Sequence, residues 1–116
     1  MPGPTQLDRW RALHDALSPD TFSDLLDLPH ATLPDLLSGH APPTGDVRAR
    51  LEYLTDLQGR LDPPSAQRLS RWLTLRRFAL NHRTPLELLR GAWTPLDPHA
   101  RAIHDIAEAD AYLSGL

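Results

Sequence analysis

The sequence predicts an all-α protein, on three observations. Apolar residues recur at intervals of three and four, no stretch alternates with period two, and half of the twelve prolines directly follow residues that can cap helices. A proline in the first helical turn sacrifices no hydrogen bond, because that amide has no intrahelical acceptor, so these prolines mark helix starts.

Leu7, Trp10, Leu13 and Leu17 share one face of a first helix over about 6–17, with Thr5 as its cap. Ser18-Pro19 opens a second, carrying Phe22, Leu25 and Leu26. Thr32-Leu33-Pro34-Asp35 has the form of a capping box for a third, short helix that Gly39 closes. Beyond the loop from His40 to Gly45, a fourth helix over about 46–61 places Val47, Leu51, Leu54, Gln58 and Leu61 at heptad-like spacing, the strongest periodic signal in the chain. Asp62-Pro63 caps a fifth over about 63–78, with Leu69, Trp72, Leu73 and Arg76 on one face. Thr84-Pro85-Leu86-Glu87 forms a second capping box, for one or two turns ending at Gly91. A last helix over about 98–113 aligns Ala102 or Ile103 with Ile106, Ala107 and Leu113. Six or seven helices result, in one domain or in two very small units, 1–61 and 62–116, that must lean on each other.

Composition narrows the function. With 41% hydrophobic and 23% charged residues the chain has a globular balance and is expected to fold. The absence of cysteine excludes a disulfide framework, a thiolate nucleophile and a cysteine zinc site. No basic-then-apolar leader and no membrane-length apolar run is visible, so a cytoplasmic location without membrane association is expected. No nucleophile elbow, phosphate-binding loop or dinucleotide fingerprint occurs, which predicts a binding protein with neither catalytic centre nor cofactor. His104 and Glu108 have the spacing of metal ligands on a helix, but His99 is out of register and two ligands do not close a site. Solvent-facing roles are expected for them, and core or interface roles for Trp10, Trp72 and Trp93.

Charge is unevenly spread over a net −3. All basic residues are arginine, and residues 1–46 carry seven aspartates against Arg9 and Arg11, whereas the remainder carries ten arginines against eight acids. Such polarity attracts partners and acts on encounter more than on fold.

The stretch from Phe22 to Leu61, two short helices and a turn before a longer packing helix, resembles an Xre-type helix-turn-helix with residues 29–38 in the recognition position. Operator DNA as a partner, through His30, Thr32, Arg48 and Arg50, is what that resemblance implies. The charge pattern argues against it: no Arg or Lys lies between Arg11 and Arg48, and Asp35 faces the groove with the wrong sign. A helix-turn-helix retained for folding or dimerisation is the plainer reading.

More specific is the stretch Arg71 to Gly91, RWLTLRRFALNHRTPLELLRG, in which Arg71-Trp72-Leu73, Leu80 and the run Arg83 to Leu89 resemble the toxin-binding domain of Xre, MbcA and ParS antitoxins. The resemblance implies an antitoxin, an Xre-like helix-turn-helix followed by a small helical toxin-binding domain. Its implied partner is a cognate toxin, commonly a RES-domain enzyme that consumes NAD, and its implied assembly a homodimer or a hetero-oligomer with that toxin. The toxin contacts it implies are Arg83 and the terminal helix and tail, His104, Glu108, Tyr112 and Leu113. Arg76, Arg77, His82 and Arg90 crowd the same turn with more positive charge than a solvated face requires. Read alone, Thr84-Pro85-Leu86-Glu87 is a helix start with Leu86 and Leu89 in the core. The other expectations are a free-standing helix-turn-helix regulator and a helical adaptor without a toxin.

Overall fold

The computed structural model describes residues 4–61 and 65–114. Among them the helical spacing becomes seven α-helices: α1 (Pro4–Leu17), α2 (Pro19–Leu26), α3 (Leu33–Ser38), α4 (Gly45–Arg60), α5 (Ala66–Leu73), α6 (Pro85–Leu88) and α7 (Pro98–Ser114). Two 3-10 turns, His30–Thr32 and Phe78–Leu80, come before α3 and α6. The β pairing among the described residues is one isolated bridge between Arg77 and Arg83, so the chain is all-α. None of these helices is long and apolar enough to cross a membrane.

Helix α1 packs on α2, α3 and α5, and α4 packs on α2, α5 and α7. Leucine dominates the interior: Leu13, Leu25, Leu51, Leu54, Leu57, Leu69, Leu73 and Leu89 are fully buried, with Phe22 and Ile103. Removing each such side chain from water contributes about 1.5–3 kcal/mol. The cluster is continuous across residue 61, so 1–61 and 62–116 share one core. Helix α1 packing on α5 joins them, and Trp93 adds a polar tie. Its indole N–H donates to the Leu25 carbonyl at 2.8 Å, and the Tyr53 hydroxyl donates to the Ala100 carbonyl at 2.6 Å nearby.

Several expected boundaries hold because local chemistry sets them. Ser18 caps α2 through the Thr21 amide, and Gly39 closes α3 at φ 83°, where a Cβ would stand 3.2 Å from Leu7 Cδ1. All three tryptophans are in the core.

Three expectations are corrected. Thr32 caps nothing: it already has helical φ/ψ, and its hydroxyl donates to the Pro29 carbonyl at 2.7 Å. Helix α5 is half the expected length. It starts after Ser65, whose hydroxyl accepts from the Arg68 amide, and ends where the Thr74 hydroxyl donates to the Arg71 carbonyl at 2.7 Å; Asp62 and Pro63 lie outside the described residues. Arg76 therefore stands in a loop. Leu113, placed on the buried stripe of α7 by its spacing, is 64% exposed and lines an open cleft beside α5.

Candidate functional site

After α5 the chain folds back on itself. The Arg77 amide donates to the Arg83 carbonyl at 3.1 Å and the His82 amide to the Arg77 carbonyl at 3.0 Å, closing a loop around the Phe78–Leu80 turn. Asn81 and His82 take positive φ, of 57° and 63°, to make the reversal. Leu80 anchors the loop in the core, while Phe78 projects into water at 85% exposure with the His82 ring edge-on against it. Helix α6 follows on the expected cap, the Glu87 amide donating to Thr84 Oγ1 at 3.1 Å.

The residues singled out around this loop divide by role. Arg83 and Arg76 are exposed, Arg76 with a hydrogen bond to the His82 carbonyl, and neither has a carboxylate partner among the described residues. Arg77 is structural: its guanidinium donates to Asp110 at 2.7 Å and lies over the Trp72 ring, and the Trp72 indole N–H donates to the same carboxylate. Arg90 is separate, lining a groove with Asp24 and Asp27 at the end of α2.

On α7, Tyr112 and Leu113 are exposed. His104 and Glu108 turn instead towards α4, where His104 Nε2 donates to Asp56 at 2.8 Å and Arg60 reaches both Asp56 and Glu108. Partial burial pulls the Asp56 carboxyl upward, but hydrogen bonds from His104 and Arg60 and their charges hold it below its ordinary range. His104, Asp105 and Glu108 do bring ligand atoms within 4.8 Å of one another, yet Arg60 in the same network repels a cation.

Sequence reasoning missed a cleft of about 610 Å³ between α5 and the end of α7. Leu61, Trp72, Leu75 and Leu113 give it an apolar lining, and Arg60, Arg68, Arg71 and Arg77 stand around it. Arg68 and Arg71 are exposed and have no carboxylate partner among the described residues. Their signal was their i, i+3 spacing opposite Leu69, Trp72 and Leu73; the early end of α5 was the missing piece.

The four positions proposed for DNA do not form a cationic surface. His30 pairs with Asp20 and Arg48 with Glu52, while Thr32 is bound to Pro29. Arg50 is a correction: it is 5% exposed, donates to the carbonyls of Leu26 and Trp93 at 3.0 and 2.8 Å, and lies against the Trp93 ring. A guanidinium buried against two carbonyls and an indole is not presented to a phosphate.

Compared with known proteins, the chain matches no family model, no curated protein and no solved structure.

Proposed function

We propose that the chain is an antitoxin of the Xre/MbcA/ParS type, a protein-binding module whose carboxyl-terminal half, 62–116, grips and silences a cognate toxin, expected to be a RES-type, NAD-consuming enzyme. The observation that supports this reading is where large apolar side chains stay in water. Leu75, Phe78, Tyr112 and Leu113 are at least half exposed on that half; Leu75 and Leu113 line one cleft with the exposed Arg68 and Arg71, and Phe78 projects from the loop between the exposed Arg76 and Arg83. Aromatic residues and arginine are enriched where proteins dock, and an apolar patch of this kind is costly in a protein that binds nothing. Neutralisation of this sort requires no chemistry, only occlusion and electrostatic complementarity. Operator binding by residues 1–61 is the weaker part of the reading, since its candidate cations are paired or buried.

The test is co-expression with the product of the neighbouring gene. The wild-type chain is expected to co-purify with it and protect the cell. Phe78→Asp with Arg83→Glu is expected to abolish both effects without changing the melting temperature, because both side chains are exposed. An intact complex and unchanged survival in that variant would end the proposal. A regulator acting alone is told apart by a mobility shift: tight DNA binding that weakens steeply with salt, and no protein partner, selects it.

A further inference from the structure

The arginine-rimmed cleft has a counterpart on the same molecule. On the turn Thr94–Asp97, Leu96 is 83% exposed, and the turn is held firm because Asp97 accepts from the Thr94 amide at 2.9 Å and from its hydroxyl at 3.1 Å. The backbone bond from Thr94 is also the main reason the Asp97 carboxyl titrates below its ordinary range. Around Leu96 runs a groove whose charged lining is Asp46, Glu52, Asp56 and Asp105 against Arg101. Among the described residues, the groove's charges without an ion-pair partner are Asp46 and Asp105 against Arg101, and the cleft's are Arg68 and Arg71. A leucine beside a mainly acidic groove thus matches, in polarity and sign, a leucine-lined cleft with two free arginines.

Placement decides how two copies can use this match. Arg101 and His104 border the acidic groove, Asp110 and Leu113 the basic cleft, and each pair of positions is separated by about two and a half helical turns. The two features therefore lie on opposite sides of α7, roughly 13 Å apart along it. A contact that uses one feature from each copy is heterologous and leaves a free end at either side.

We infer that the chain associates with itself head to tail, the Leu96 corner of one copy seated in the α5–α7 cleft of the next. The inference does not rest on the antitoxin reading. The two meet at Leu75, Leu113, Arg68 and Arg71, which line the cleft and belong to the proposed docking surface, so a partner bound there displaces the second copy. With few contacts and exposed charges, the association is concentration-dependent and is weakened by salt.

Sedimentation of the full chain at rising concentration tests it, at low and at high salt. The expected result is an average mass that climbs past the dimer at low salt and returns to the monomer at high salt. Two variants then block one end each: Leu96→Arg removes the corner, and Arg68→Glu with Arg71→Glu reverses the cleft. All three positions are exposed, so melting temperatures are expected to match the wild type. Each variant alone is expected to be monomeric, and an equal mixture to form dimers that grow no further, because one intact corner meets one intact cleft. As a second cleft variant, Leu113→Glu behaves like the arginine reversal. A wild-type chain that is monomeric throughout, a mass that stops at a dimer, or a mixture that stays monomeric overturns the inference.

Discussion

Thr32 and Thr84 head similar four-residue patterns, and the two regions they open diverge. Thr84 has extended backbone, φ −85° and ψ 151°, which aims its hydroxyl at the amide three residues on. Thr32 is already in the helical region, φ −89° and ψ −14°, because it is the last residue of the His30–Thr32 3-10 turn. A residue with helical φ/ψ cannot cap the helix it belongs to. The segment around Thr32 buries Leu33 and Leu36 and shows water a polar face without a free cation. The segment around Thr84 leaves Leu75 and Phe78 outside, among arginines. A capping pattern thus predicts that a helix starts nearby, while the residues before it decide how, and the surface that results is a separate property.

The largest expected effect concerns what the two regions share. If both rest on one core, Trp93→Ala is expected to lower the stability of the whole chain by about 3–5 kcal/mol in a single urea transition, since it empties a buried indole site and orphans the Leu25 carbonyl. Two separated transitions, one unaffected, would show that the halves are independent after all. Next comes Arg50→Met, which leaves the carbonyls of Leu26 and Trp93 without their donor and is expected to cost roughly 2–4 kcal/mol. The neighbouring Arg48→Ala, exposed and paired only with Glu52, is expected to stay within about 0.5 kcal/mol. Equal, small costs at both positions would restore Arg50 as a surface cation.

Smaller, and aimed at the comparison itself, is the pair Thr84→Ala and Thr32→Ala. The first removes a working cap and is expected to cost about 1 kcal/mol. The second removes an exposed hydroxyl bond to Pro29 and is expected to cost a few tenths of a kcal/mol at most, on the order of a single surface change. Thermal melts of both variants check the ranking, and a reversed order would mean that Thr32 caps in solution.

Much of this was legible in the sequence. The leucine spacing that marks α1, α2 and α4 survives in the core almost residue for residue, because burial on a regular helix obeys one period. Helix ends set by one residue, at Ser18, Gly39 and Thr84, were legible for the same local reason. The end of α5 was not, since Leu75, Arg76 and Arg77 are acceptable helix formers and only the pairing of Arg77 with Arg83 and Asp110 turns the chain aside. The candidate surface was half visible. Arginine clustering pointed to the loop, but charge alone did not separate Arg83, which faces water, from Arg77 and Arg50, which are held by distant parts of the chain.

The smallest effect separates a structural from a docking role for α7. Asp56 joins α4 to His104 and, through Arg60, to Glu108. Because its folded carboxyl titrates below the unfolded value of about 3.9, the network's contribution is complete above that pH and is lost as acid protonates the folded carboxylate. The side chain is half exposed, which limits the contribution to under about 1 kcal/mol. The wild type is therefore expected to lose melting temperature more steeply than Asp56→Asn between neutral and strongly acid pH, the two curves converging at the acid end. Parallel curves would mean that the network carries no stability, and would return His104 and Glu108 to the list of residues free to meet a partner.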